Sequence, residues 1–309
     1  MLLIRFIVYM EREDMQDKVQ IQAVLDRWDL KNPSIEKQLQ EKSPRLIFKI
    51  KTDSGCFVLK GYPCKTPEDT IKSNVQAHLF LGKEKGLAPR VYPLKTGQYY
   101  TCDQGYWFYL MEFIEGRQME ETPEDEYRIG QAARELHKLQ GYNRVSPDSQ
   151  SKKRFYEWFR DKPFVKEYDA ILDEIPDFEK LEQCFVHTDI GPHNTMLSQE
   201  GKVVFIDLDD TGIGSRYLDI GWPFIMQFVD YNQDTEEMHY RFDLAKSFLK
   251  GYYGEKNITR KEYDLLFYGA EQMHISYMQS YGPYAVDSLW MILKYGMSQK
   301  ETLWDMIHR

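Results

Sequence analysis

The sequence predicts an α+β chain in two lobes. A small, strand-rich N-lobe with one long helix covers residues 1–114, and a larger, mostly helical C-lobe covers 115–309. Three observations lead there. Short apolar-alternating segments bounded by Gly, Pro and Asp fill the first part. Apolar residues at helical spacing fill most of the chain after Glu115. The chain has 309 residues, 42% of them apolar, enough for a globular protein with a sizeable core divided between two lobes.

The elements come in order. The opening decamer MLLIRFIVYM is apolar, but it lacks a basic leader and a small-residue cleavage site, so it makes a poor signal peptide. It reads either as an N-terminal strand or as an artefact of a true start at Met10 or Met15. Residues 15–30 read as a helix, with Val19, Val24, Leu25 and Trp28 on one face. Leu46–Thr52, the turn Asp53-Ser54-Gly55 and Cys56–Lys60 read as a hairpin. Thr66-Pro67-Glu68-Asp69 starts a helix that runs to about Lys85 and stops at Gly86. Arg90–Pro93, Tyr99–Asp103 and Tyr106–Phe113 read as strands. Thr122-Pro123-Glu124-Asp125 starts the next helix, with Ile129, Ala132, Ala133, Leu136 and Leu139 on its apolar face and Gly141 at its end. A hairpin over 195–207 is placed inside the second lobe. Residues 235–251, 260–279 and 283–309 are helical by period. A crevice between two such lobes is a natural place for a nucleotide.

Composition excludes several classes. The net charge of −9 argues against nucleic acid as a partner. The charge is uneven: residues 1–114 carry 17 Lys and Arg against 14 Asp and Glu, whereas 115–309 carry 23 against 35. That leaves −12 on the second part, which suits general solubility or attraction of a cationic substrate. Aromatics make up 15%, Tyr being the commonest. Cys56, Cys64, Cys102 and Cys184 are scattered with no C-x-x-C pair, so reduced thiols in a cytoplasmic protein are expected, without zinc or disulfides. No apolar run approaches a membrane span. Oligomeric state is not readable.

The chemistry concentrates in HTDIGPHNTMLSQEGKVVFIDLDD, residues 187–210. His187, Asp189 and Asn194 form an H-x-D-x-x-x-x-N arrangement, and Asp207 comes directly after the apolar run Val203–Ile206. Phosphoryl transfer from a metal-bound nucleotide needs a carboxylate beside the attacking hydroxyl and oxygen ligands for Mg²⁺. Asp189 fits the first need; Asn194 and Asp207 fit the second. Asp209 and Asp210 read as a turn and an ion-pair partner, with Asp209 a lesser candidate for the metal. His193 reads as a loop histidine and not a base, and Trp222 reads as core.

These residues carry a resemblance. FVLK (57–60), GLAPRVYP (86–93), YLMEFIEGR (109–117), VHTDIGPHNTML (186–197), VFIDLDD (204–210) and RYLDIGW (216–222) occur in the order seen in the aminoglycoside phosphotransferase and choline kinase-like small-molecule kinases. The chain resembles that family, which implies a bilobal protein-kinase-like fold. The resemblance implies Asp189 as the catalytic carboxylate, Asn194 and Asp207 as Mg²⁺ ligands, and His187 and Asp219 as supports of the catalytic loop. It implies Lys60 as the lysine on the nucleotide's phosphates and Met111, Glu112, Phe113 and Ile114 as the hinge facing the adenine.

Two departures stand out. The position of the glycine-containing loop reads Glu41-Lys42-Ser43-Pro44-Arg45, with Ser43 or Arg45 left to replace its phosphate contacts. The position of the helix glutamate that partners the lysine reads Asn74, which can only offer Lys60 a hydrogen bond; Glu68 is a distant substitute. The resemblance implies an ATP- and Mg²⁺-dependent transfer (GTP is an open alternative) to a hydroxyl of a small molecule, cationic by the charge of the second part. Aminoglycoside, choline and homoserine types are the candidates, and a sugar stays open. The competing reading is an inactive kinase-like scaffold of the spore-coat type. A protein-serine kinase is disfavoured, because YLDIGW comes too soon after Asp207 for an activation segment.

Overall fold

The computed structural model describes residues 19–40, 43–84, 86–147, 158–232, 234–256, 258–281 and 285–308. The N-terminal decamer and Glu41-Lys42 lie outside the described residues, so the strand-or-start alternative and two of the five residues of the glycine-free loop do too.

The first elements are α1 (Ile21–Leu25), β1 (Ser34–Gln38), β2 (Leu46–Thr52), β3 (Gly55–Pro63), α2 (Glu68–Glu84), β4 (Val91–Tyr92), β5 (Thr101–Asp103), β6 (Tyr106–Glu112) and β7 (Gly116–Gln118). Then come α3 (Pro123–Leu136), α4 (Val165–Glu174), β8 (Gln183–Val186), β9 (Thr195–Ser198), β10 (Val203–Phe205) and β11 (Gly212–Ser215). The remainder is α5 (Arg216–Gly221), α6 (Pro223–Met226), β12 (Val229–Tyr231), β13 (Met238–Tyr240), α7 (Phe242–Tyr253), α8 (Arg260–Tyr281), α9 (Val286–Ser298) and α10 (Lys300–His308).

The chain divides into two compact units. One runs to Arg117 and also takes Met196–Asp209; the other comprises Gln118–Thr195 and the chain from Asp210 on. This corrects the single division after residue 114. The hairpin β9–β10, expected in the second lobe, belongs with the strand-rich unit, because β9 pairs with β7 in a sheet of order β10-β9-β7.

In the strand-rich unit an antiparallel sheet runs β1-β2-β3-β6-β4, with β5 also paired to β6. It is covered on both faces. Phe57 and Leu59 of β3 join Ile21, Val24, Leu25 and Trp28 on one side. On the other side Tyr62 packs with Ile71 and Val75 of α2 and with Tyr109. Alternation along a strand sends successive side chains to opposite faces. Lys60 therefore points with Val58 and Tyr62 toward α2, and it is only 3% exposed. The predicted helix over 15–30 is a helix only at Ile21–Leu25 within the described part. Arg27 and Trp28 donate three residues back, to Val24 and Leu25 carbonyls, and this tightening ends it. Two of the four cysteines, scattered in the sequence, come together: the Cys64 and Cys102 sulfurs are 2.7 Å apart, and Cys102 is exposed.

In the helical unit α3 starts where TPED predicted, with the Thr122 hydroxyl accepting the Asp125 N–H. Residues 235–241 are not helical. Asn232 Oδ1 accepts the N–H groups of Asp234 and Thr235, a turn that lets β13 pair with β12 as a hairpin. Helix α5, cut from RYLDIGW, lies tightly on α8. A Cβ on Gly221 would sit 2.6 Å from the Ala270 nitrogen, and one on Gly269 would fall onto the Tyr217 carbonyl.

That approach yields a prediction. Gly to Ala in a helix interior ordinarily stabilises by about 1 kcal/mol. At Gly269 the new methyl meets backbone, which cannot swing aside, and overpacking of this kind costs about 1–3 kcal/mol. Gly269→Ala should therefore lower the thermal midpoint, and a midpoint at or above that of the parent protein would contradict the packing.

Candidate functional site

The strand-rich unit gathers a partly buried charge cluster on the α2 side of its sheet. Lys60 Nζ bonds Asp207 Oδ1 at 2.7 Å and Asp209 Oδ1 at 3.3 Å. Arg45 reaches the same two acids, with Nη2 to Asp209 at 2.8 Å and Nη1 to Asp207 at 3.3 Å. The Tyr62 hydroxyl donates to Asp209 at 2.7 Å, and the Asn74 amide donates to it at 2.9 Å. Burial opposes the charge on Lys60, but Asp207 and Asp209 outweigh it and hold the ammonium well above its ordinary range.

The expected Lys60–Asn74 hydrogen bond is corrected here. Asn74 is fully buried on the face of α2 that covers the sheet, and its Nδ2 serves Asp209 and, at 3.4 Å, Tyr62. Among the described residues its Oδ1, which is buried, finds no hydrogen-bond partner. A flipped amide would aim that oxygen at the Asp209 carboxylate, which can only accept, so the orientation is imposed. Asp209, a turn residue by its sequence, is the hub of the cluster. The absence of a carboxylate at position 74 was the available signal: a buried lysine needs an anion from elsewhere, and VFIDLDD held the nearest candidate.

The other predicted nucleotide residues are placed as follows. Ser43 is buried, and its hydroxyl accepts the Arg45 N–H at 3.1 Å, so it shapes the turn that launches Arg45. Met111, next to last in β6, is paired on both sides, to Val58 and Val91. The Glu112 N–H goes to the Arg90 carbonyl and its carboxylate to the Arg90 guanidinium. The Phe113 N–H leans toward the Cys56 carbonyl at 3.4 Å. Met111 thus lies within the ladder, and the Glu112 and Phe113 N–H groups are engaged within the unit. Among the described residues Ile114 makes no hydrogen bond, which leaves it the best placed of the four to meet a base edge.

The helical unit builds the motif loop around Asp219, which is fully buried on α5. Its Oδ2 accepts the His187 N–H and its Oδ1 the Thr188 N–H, both at 2.7 Å. His137 Nε2 lies 2.9 Å from Oδ2. A carboxylate only accepts, so that nitrogen carries a proton, and Nδ1 faces the Tyr252 hydroxyl at 2.8 Å. Thr188 has φ +71°, a left-handed conformation costly for a β-branched residue, and the Asp219 grip holds it there. His187 is buried and accepts the Asp189 N–H on Nδ1 at 3.3 Å.

The strained turn presents Asp189. Asn194 Nδ2 donates to its Oδ2 at 2.7 Å and to its carbonyl at 3.0 Å, and His193 Nε2 lies 3.1 Å from Oδ1. The Asp189 side chain remains 45% exposed. Partial burial pushes its carboxyl up, but the His193 hydrogen bond and charge, His187 and Asn194 outweigh that and hold it below the usual range. His193, a bystander by its sequence, therefore touches the expected base. Pro192 opens the 3₁₀ turn 192–194 that brings it round.

The residues proposed for metal are hard oxygen donors, as Mg²⁺ prefers. Asn194 spends its amide nitrogen on Asp189, which leaves Oδ1 without a described partner, and the Asp207 side chain is 41% exposed. Among the described residues no three His, Cys, Asp or Glu cluster as a metal cage. Mg²⁺ held by one or two protein oxygens plus phosphates needs none, so the chemistry of each donor, taken in its own unit, fits the ion.

Known proteins share this plan. Residues 37–246 match the model of the phosphotransferase enzyme family. The chain is similar to an aminoglycoside phosphotransferase of Alicyclobacillus acidocaldarius at 15% identity and TM-score 0.60, over 93% of this chain and 96% of that one. A choline kinase of Streptococcus pneumoniae aligns at 14% identity and TM-score 0.55, over 96% of this chain and 99% of that one. A spectinomycin phosphotransferase, solved with ADP and spectinomycin, aligns at 13% identity and TM-score 0.52, over 89% and 93%. At these identities the likeness is one of fold.

The loop geometry predicts the effect of removing its anchor. Asp219→Ala strips the acceptor from two buried N–H groups and from His137. The expected cost is on the order of 3 kcal/mol, read from the urea midpoint, with turnover falling as Thr188 leaves its left-handed conformation. Asp219→Asn keeps one acceptor oxygen and should fall between. A midpoint unchanged in Asp219→Ala would show that the loop does not depend on this anchor.

Proposed function

The chain belongs to the phosphotransferase enzyme family and is a small-molecule kinase; we propose that it moves the γ-phosphoryl group of ATP, with Mg²⁺, onto a hydroxyl of a small cationic molecule. The observation that carries this reading is Asp189: ionised, half-exposed, and fixed from both sides by His193 and Asn194.

Each residue has a part. Asp189 orients the acceptor hydroxyl and takes its proton as the oxygen–phosphorus bond forms and the bond to ADP breaks. Two of its lone-pair positions are occupied by His193 and Asn194, and a carboxylate offers about four, so an acceptor hydroxyl can still be held. Lys60 meets the phosphates with a charge that burial leaves intact. Asn194 and Asp207 would hold Mg²⁺, which neutralises phosphate charge when bound. The backbone of residues 111–114 lies along the base, with Ile114 offering its N–H. Adenine is favoured because the spectinomycin phosphotransferase was solved with ADP.

The acceptor is assigned by charge. Residues 115–309 carry −12 by composition, and Glu120, Glu121 and Glu124 stand exposed within one short stretch of it. An amine-bearing alcohol of the aminoglycoside, choline or homoserine type suits that surplus.

Asp189→Ala should lower kcat by roughly 10²–10⁴-fold while ATP affinity stays within about twofold. Normal turnover in that variant would end the assignment. Saturating ATP and Mg²⁺ should raise the melting midpoint of the parent protein, equivalent to about 2.7 kcal/mol at a hundred times Kd. No shift at millimolar ATP would favour a non-enzymatic scaffold instead.

A further inference from the structure

We propose that Arg45 is a second phosphate-binding cation beside Lys60, and that Asp209 holds the pair in place of a carboxylate on α2. The inference rests on the kinase reading and deepens its nucleotide site.

Register puts the two cations side by side. Leu46 pairs with Gly61 and Ile47 with Lys60, so Arg45 enters β2 next to Tyr62, on the Lys60 face. The guanidinium carbon lies 5.1 Å from the centre of the Tyr62 ring, and Lys60 Nζ lies 5.2 Å from it. The Ser43 hydroxyl fixes the turn before it by taking the Arg45 N–H. This segment stands where the resemblance expects a glycine loop that offers backbone amides, and Pro44 has no amide N–H to offer.

Arg45 is equipped to meet an anion. Guanidinium carries five N–H donors; one on each terminal nitrogen engages Asp207 or Asp209, and the rest have no described acceptor. The side chain is 36% exposed, against 4% for Lys60. A fork of this kind matches a phosphate edge better than an ammonium does.

The charges then decide what the cluster does. As it stands, Lys60 and Arg45 balance Asp207 and Asp209. Once Asp207 is committed to a metal-bound nucleotide, Asp209 alone faces both cations. The surplus of one positive charge is available to phosphate, while Asp209 keeps the two side chains from moving apart. Its Oδ1 takes Tyr62, Asn74 and Lys60 and its Oδ2 takes Arg45, so it ties four side chains together and acts as a positioning residue. Asn74 belongs to this arrangement. A carboxylate there would stand against Asp209, whereas the amide donates to it at 2.9 Å.

Calorimetric titration with ATP and, separately, with adenosine tests the inference on four variants. Arg45→Gln should bind ATP roughly 10–100-fold more weakly, with adenosine affinity within about twofold. Arg45→Lys keeps a charge without the fork and should lie between. Asp209→Asn should weaken ATP binding to a similar degree, and the exchange Asn74→Asp with Asp209→Asn should recover roughly tenfold of it, because the hydrogen bond and the negative charge both return. A merely structural Asp209 would not be rescued by that exchange. ATP affinity unchanged in Arg45→Gln, or adenosine lost in proportion to ATP, or an exchange no better than the single change, overturns the inference. If the parent protein binds ATP and Arg45→Gln binds it equally, the kinase reading stands and the second cation falls; if the parent binds no ATP, both fall.

Discussion

A lysine ammonium lies inside a sheet that is covered on both faces, and the strand-rich unit is arranged so that this charge is never alone. Lys60 is nearly inaccessible because α2 packs Ile71 and Val75 over the face it shares with Tyr62. A charge taken that far from water costs several kcal/mol unless it is paired and hydrogen-bonded. Asp207 and Asp209 supply the pairing, and both arrive on the segment after β10, remote in sequence but in the same compact unit. The pairing fixes more than one residue. Tyr62 and Asn74 donate to the same Asp209 oxygen that meets Lys60, and Arg45 completes the balance of charge from the other oxygen.

The helical unit solves a different problem with the same kind of group. Its task is to hold a turn that the backbone resists, with Thr188 at positive φ. Asp219 does so by accepting two consecutive N–H groups, and it stays put because α5 lies against α8 through Gly221 and Gly269. The helix positions one carboxylate, that carboxylate positions the turn, and the turn positions another. Asp189 then receives its own donors, His193 and Asn194, from four and five residues further on. In each unit a buried acid is an instrument of placement, while the more exposed acid, Asp207 or Asp189, is left for chemistry.

Much of this is legible in the order of residues, and what escapes has a common cause. Alternation in Leu46–Lys60 and Tyr106–Phe113, and the Thr122 cap, depend on neighbours along the chain, so those elements can be placed from the sequence alone. The H-x-D spacing likewise displays Asp189 and Asn194 on one loop. Residues 235–241 mislead because they read as the start of the helical period of 235–251, while the Asn232 turn and pairing with Val229–Tyr231 decide otherwise. The hairpin 195–207 goes to the wrong unit because its partner, β7, lies some eighty residues earlier. Asp209 and His193 are undervalued for the same reason at smaller scale. A carboxylate's weight depends on how many donors surround it, and Arg45, Lys60, Tyr62 and Asn74 come from separate elements.

Asn74 shows how such a misreading corrects itself. Taken alone, an amide where a glutamate is expected looks like decay of the nucleotide site, and its unpartnered Oδ1 looks like further damage. The buried oxygen does carry a desolvation cost of about 1–3 kcal/mol. A second carboxylate at that position, close to Asp209, would cost more, since two like charges in a low-dielectric interior cannot both stay ionised without additional cations. The amide is therefore the less costly group beside an acid already held by two cations and a tyrosine. The amide at position 74 and the acid at 209 are two sides of one arrangement, in which the negative partners of the lysine come from the segment after β10 and not from α2.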